Sequence, residues 1–227
     1  MTESTPSLGT AVVRNSVLLG LFAALTTALI AGIYLGTKEQ IVAAERAAEA
    51  RQLLEIMPET LHNNSLVDDS FSIEDSSGLL GLREARRGYI AKVDDRVVGI
   101  ILPATARDGY SGDIRLLVGV LADGRVAGVR VVSHRETPGL GDAIDLRKSP
   151  WVLGFNDRSL NSPTPRDWTV KKDGGAFDQF TGATITPRAV VEATRKALQY
   201  AHLNRAQWYG ENHLNDAQVT RNEEPTT

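Results

Sequence analysis

From Val17 to Leu35 the chain is an unbroken apolar run, VLLGLFAALTTALIAGIYL, with no charged residue. At 1.5 Å rise per residue a helix over this run is roughly 29 Å long, which matches the hydrocarbon core of a bilayer. A cleaved signal peptide has a shorter apolar core ending in a small-x-small site. Here the run continues into Tyr34-Leu35 without an Ala-x-Ala pattern, so the reading is a retained transmembrane helix over 16–36. Gly20, Ala24, Ala28, Ala31 and Gly32 permit close packing against other membrane helices. Arg14 stands on one side, and Lys38, Arg46 and Arg51 stand on the other, interleaved with Glu39, Glu45 and Glu49. Charge alone therefore leaves the orientation open.

Around the apolar run the pattern changes. Residues 1–15 are polar, with Pro6 and Gly9, and read as a short unstructured leader. Lys38 to Met57 is rich in Ala, Glu, Arg and Leu, and Pro58 stops it, giving a helical stalk over 37–58. Its apolar positions hold only a partial stripe, which fits a half-buried stalk or a solvated spacer. The span 59–87 reads as irregular connection, with Asn63-Asn64-Ser65 and Asp68-Asp69-Ser70.

Alternating apolar positions then predict two β-hairpins. The first pairs Gly88–Val93 with Val97–Leu102 across Asp94-Asp95, and the second pairs Ile114–Val120 with Val126–Ser133 across Asp123-Gly124. Asp145 to Phe155 suggests a short helix interrupted at Pro150, and Trp168–Lys172 a further strand. Pro187 to Leu203 places Val190, Val191, Ala193, Thr194, Ala197, Leu198 and Ala201 on one helical face. The predicted fold class is α+β: a twisted antiparallel sheet with packed helices, preceded by one N-terminal transmembrane helix. The globular domain runs over 88–209, and 210–227 reads as a flexible tail.

Composition narrows the chemistry. The 227 residues carry a formal net charge of −3 with scattered basic positions, so no nucleic-acid footprint is visible. There is no cysteine, which excludes disulfides, thiolate-ligated iron–sulfur clusters and cysteine nucleophiles. The four histidines, His62, His134, His202 and His213, form no zinc pattern. A redox centre in this protein is therefore a bound organic cofactor.

The chemically distinctive stretch is Asp178-Gln179-Phe180-Thr181-Gly182-Ala183-Thr184-Ile185-Thr186-Pro187. Thr186 suits an N-cap and Pro187 the first helical position, so a helix is expected to start there. The unpaired N–H groups of its first turn form an anion site toward which Thr184 can project, although an ordinary capped turn has the same residues. Two glycine turns are further candidates. Asp108-Gly109-Tyr110-Ser111-Gly112 is read first as structure, and His134-Arg135-Glu136-Thr137-Pro138-Gly139-Leu140-Gly141-Asp142 demands a tight backbone path. His134 itself reads as a locally bonded residue at the sheet edge.

Asp178-x-x-Thr181-Gly182-Ala183-Thr184 resembles the flavinylation motif of the FMN-binding domain family, in which a flavin transferase esterifies FMN phosphate onto threonine. Four blocks are similar to the G subunits of Rnf-type ion-translocating electron transport complexes. They are the anchor, 106–112, 134–142 and 168–188. The related C subunit of the sodium-translocating NADH:quinone oxidoreductase shares the threonine motif, but Lys171-Lys172-Asp173-Gly174-Gly175 looks more like the Rnf branch.

The resemblance implies covalent FMN on Thr184, with Asp178, Thr181, Gly182, Ala183 and Thr186 around the tether. A bound flavin ring needs an apolar wall, hydrogen bonds to its polar edge and nearby positive charge. Leu140 and Phe180 are wall candidates, Thr137, Pro138 and Gly139 a ligand-edge turn, and Lys171 or Lys172 the charge. The implied role is an electron relay, not catalytic alone, in a complex linking ferredoxin and NAD electron exchange to sodium or proton movement. Its implied partners are the other subunits, the flavin transferase and membrane lipid. The implied location is the bacterial inner membrane, single-pass, with the FMN domain on the periplasmic side. A stand-alone membrane-anchored flavoprotein reductase and a non-redox anchored scaffold are the alternatives.

Overall fold

The computed structural model describes residues 8–209. Its first element, α1, runs from Leu8 to Ile56 as one 49-residue helix, so anchor and stalk are continuous. No proline interrupts that span, and Pro58, which lacks an N–H, follows its end. Residues 8–15, expected to be irregular, are helical instead. Once the apolar run nucleates a helix, Ala and Val residues upstream extend it at little cost. The rest of the expected leader, residues 1–7, lies outside the described residues, as does the expected tail.

The chain divides after Ala48 into two compact units. In the first, the large apolar side chains point outward, and Leu19, Phe22 and Leu35 are 69%, 65% and 72% exposed. The most apolar window of this helix has a mean hydropathy of 2.2, and the helix is long and apolar enough to cross a membrane. Lipid is the surrounding that such a surface requires.

The second unit, from Glu49, is built on a five-stranded antiparallel meander in the order β1-β2-β3-β4-β5. The strands are β1 (Ser70–Ile73), β2 (Arg86–Val93), β3 (Arg96–Ala106), β4 (Ile114–Leu121) and β5 (Val126–Ser133). Both expected hairpins form. Asp94 and Asp95 take φ of 49° and 65°, the left-handed pair that matches the twist of a two-residue turn. Strand β1 lies within the span expected to be irregular, pairing Ser70 with Tyr89 and Ile73 with Arg86. At four residues it is too short to announce itself by alternation.

Strand β3 is buried from Gly99 to Ala104, because both faces of the sheet are covered. On one face Ile100, Leu102, Leu116, Val118 and Val120 pack with α2 (Ile185–Leu203) through Val190, Ala197 and Leu198. On the other, Tyr89, Ala91 and Ile101 pack with Leu53 and Ile56 from the last turns of α1 and with Met57 just after it. Glycine makes this approach possible. A Cβ at Gly119 would meet Ile56 Cγ2 at 2.5 Å, and one at Gly128 would meet the Ile56 carbonyl oxygen at 3.1 Å. The foot of the stalk is therefore part of the core of the second unit, while Ile41 to Ala48 stays exposed.

Two expectations about local structure are corrected. Trp168–Lys172 is not a strand: Val170 makes a lone parallel bridge to Phe177, and Lys171–Asp173 is a 3-10 turn ended by Gly174 at φ +86°. The Gly174-Gly175 pair reverses the chain before a ladder can extend. Asp145–Phe155 is not an interrupted α-helix either. Its helical part is a 3-10 turn, Pro150–Phe155, which Pro150 begins rather than breaks, with the Ser149 hydroxyl accepting from the Trp151 N–H. A short helix α3 (Arg205–Tyr209) follows α2.

Asp145 is buried, and hydrogen bonds from the Arg147 side chain hold its carboxyl below the usual carboxylate range. A depressed folded-state value stabilises the fold above the unfolded value near 3.8 and loses that contribution as pH falls through the folded one. Asp145→Asn is expected to flatten the acid loss of stability below about pH 4, read from denaturant midpoints at about pH 3 and about pH 6.

Candidate functional site: a cavity at the threonine motif

Three segments converge on a cavity of about 310 Å³. The first is the turn between β3 and β4. There a Cβ on Gly109 would lie 2.2 Å from the Gly112 carbonyl oxygen, so the chain folds tightly and Tyr110 is pushed outward, 68% exposed. The second follows β5. The Thr137 carbonyl oxygen accepts N–H groups from Leu140 and Gly141, each at 3.1 Å, and Gly139 takes φ +75°. That curl projects Leu140 into the cavity wall. The third is the threonine motif, where Phe180 and Ala183 bridge across a turn with Gly182 at φ +79°. Left-handed φ at Gly139 and Gly182 suits glycine and strains other residues.

Helix α2 starts two residues earlier than expected and corrects the role of Thr186. Ile185 is the first helical residue, and Thr184 occupies the cap position with φ −77° and ψ −27°, its side chain making no capping hydrogen bond. Thr186 is fully buried in the first turn, and its hydroxyl donates to Glu136 Oε2 in a very short contact. A side chain spent on a buried carboxylate cannot cap its own helix. The other Glu136 oxygen accepts from the Ser111 N–H at 2.9 Å, so this residue joins all three segments. His134 Nδ1 accepts the Glu136 N–H at 3.1 Å, the local role expected of it.

The cavity thus unites Gly182, Ala183, Thr184 and Thr186 with Thr137 and Leu140. Other sequence candidates fall outside its lining. Pro138, Gly139 and Thr181 are exposed turn residues, and the Gly139 N–H donates to Asp142 Oδ1 at 2.7 Å. Lys171 pairs with Asp178 at 2.6 Å, and Lys172 is exposed in the adjoining 3-10 turn. Phe180 packs edge-on against Trp151 at 5.2 Å and belongs to the rim of the core rather than to the cavity wall. Asp173 and Arg188 tie that turn to α2 at 2.7 Å, and the Arg188 guanidinium draws the Asp173 carboxyl below its ordinary range.

Tyr110, Glu136, Gly141 and Ile185 also line the cavity, and nothing in their local sequence marks them individually as site residues. The available signals are indirect: Tyr110 lies between two glycines, a pattern that forces a side chain outward, and Glu136 lies inside the glycine-turn block. Larger cavities of about 480 Å³ and 410 Å³ lie beside Glu59–Val67 and between the β4–β5 turn and the end of α2. Neither contains the threonine motif.

The residues present fit FMN. Thr184 is half-buried at the cavity, with an uncapped side chain at a helix N-terminus, where N–H groups favour a phosphate. Tyr110, Leu140 and Ile185 supply exposed apolar surface, at 68%, 44% and 44%, beside it. About 310 Å³ is at the small end of ligand sites and suits part of a flavin, with the remainder at the surface.

Comparison with known proteins bears on the same residues. A family model described as an FMN-binding domain matches residues 109–199, which include every residue lining the cavity. A second model, described as the RnfG N-terminal region, matches residues 1–56 and ends with α1. Over 192 residues the chain is 52% identical to the G subunit of the ion-translocating oxidoreductase complex of Pseudomonas aeruginosa, covering 85% of this chain and 89% of that one. With the corresponding G subunit of Shewanella loihica the identity is 48% over 193 residues, covering 85% and 91%. With that of Vibrio cholerae it is 44% over 202 residues, covering 89% and 96%. Matches of this identity and coverage place the chain in the family of G subunits of ion-translocating oxidoreductase complexes, with an FMN-binding domain behind an apolar N-terminal helix.

Proposed function

We propose that this chain is an electron-relay subunit that carries FMN esterified through its phosphate to Thr184. The observation that carries the reading is the coincidence, at one cavity, of an uncapped threonine at a helix start with exposed apolar side chains inside the FMN-binding domain match. When bound, FMN supplies one-electron and two-electron redox chemistry. The protein's own residues provide the rest. Thr184 would offer the ester oxygen, the first turn of α2 would offer N–H groups to the phosphate, and Leu140, Ile185 and Tyr110 would offer apolar surface to the ring. The Thr137–Gly141 curl holds Leu140 in place through its backbone hydrogen bonds.

Within the complex this relay passes electrons between neighbouring subunits, as part of coupling ferredoxin and NAD electron exchange to sodium or proton translocation. The apolar part of α1 holds it in the bacterial inner membrane as a single pass, with the flavin domain on the periplasmic side. Maturation requires a flavin transferase. The test is to co-express the full chain with such a transferase, denature it and inspect the band for flavin fluorescence. A fluorescent band is expected, and a dark one would overturn the reading.

A further inference from the structure

We propose that Glu136 holds the redox potential of the flavin site low, through a buried negative charge on the cavity wall. The proposal rests on the reading of this cavity as a flavin site.

Glu136 is only 4% exposed and yet lines the cavity. Its two oxygens accept from the Ser111 N–H at 2.9 Å and from the Thr186 hydroxyl, so both bonds come from neutral donors and both treat it as an acceptor. Two neutral donors suit the two oxygens of a carboxylate, and Glu136 is taken in that form. No lysine or arginine lines the cavity among the described residues, and Lys148 and Lys171 pair with Asp142 at 3.9 Å and Asp178 at 2.6 Å. Gly141 closes over the group, because a Cβ there would lie 3.0 Å from Glu136 Cβ and 3.1 Å from Oε2.

A purely structural tie needs no charge. Glutamine has the same shape, and its amide can accept from Ser111 and donate to the Thr186 oxygen. Burying a charge without an opposite partner costs folding energy that an isosteric amide avoids, so the charge calls for a role beyond joining the three segments. At the wall of a flavin cavity one role follows from electrostatics. Reduction adds negative charge to the ring, and a fixed carboxylate in a region of low dielectric disfavours the more negative form.

The test compares the midpoint potential of flavin-loaded wild type and Glu136→Gln by spectroelectrochemical titration, with flavin content and thermal midpoint recorded for each. Glu136→Gln is expected to favour the reduced form about tenfold more than wild type does, an upward shift of about 30 mV for a two-electron couple. An unchanged or lower potential in loaded Glu136→Gln would overturn the proposal. Should that variant fail to load, Thr186→Val decides. It removes one donor from the carboxylate and leaves the charge less compensated, so a lower potential is expected and an unchanged one overturns the idea. Wild type without flavin would instead overturn the reading of the site itself.

Discussion

Thr184→Ala, co-expressed with a flavin transferase, is expected to carry no covalently bound flavin while remaining folded. Alanine has no oxygen to bear the ester, so the loss is complete rather than graded. The fold is indifferent, because the Thr184 side chain makes no capping bond and is half-buried. A change within about 0.5 kcal/mol is expected for such a position. Thr181→Ala is the matching control at an exposed turn residue and is expected to keep its flavin. Thr186→Ala should behave differently from both. Its hydroxyl is buried against Glu136, and its removal strands a carboxylate oxygen, at a cost of about 1–3 kcal/mol. Thermal midpoints measured beside flavin content separate loss of the tether from loss of the fold.

The largest expected effect on stability lies away from the cavity. Phe155→Ala is expected to cost about 3–5 kcal/mol in chemical denaturation. Phe155 is fully buried, stacked on Phe177 with ring centroids 4.7 Å apart and on Trp168 at 6.4 Å, and met edge-on by Trp151 at 5.3 Å. Rigid rings on three sides limit how far the void can collapse, which puts the cost at the upper end for a large-to-small change. The consequence reaches the site. Trp151 packs on Phe180 and donates its indole N–H to the Asp178 carbonyl oxygen at 2.7 Å, so the stack also fixes the loop that presents Thr184. Flavin incorporation by Phe155→Ala should therefore fall together with stability.

Much of this architecture is legible in sequence, for reasons that differ by element. The apolar helix reads clearly because a bilayer imposes length and composition together. The two hairpins read because alternation and aspartate turns agree. The threonine motif is visible in its residues, but the role of Thr186 is not. A threonine before a proline has the local signature of a cap, and only the fold brings Glu136 from a distant loop to take its hydroxyl. Glu136 and Tyr110 escape a local reading because their importance comes from convergence of loops far apart in sequence. Lys171 shows the converse. In sequence it resembles free positive charge beside the motif, but in the fold Asp178 takes it up.

Whether Thr184 is the cofactor tether is tested most directly by mapping the modification. Wild-type protein matured with the transferase is digested, and its flavin-bearing peptide is sequenced by tandem mass spectrometry. The expected result is a single FMN phosphoester on Thr184. An adduct on Thr181 or Thr186, or no modified peptide from the segment 178–188, would contradict it.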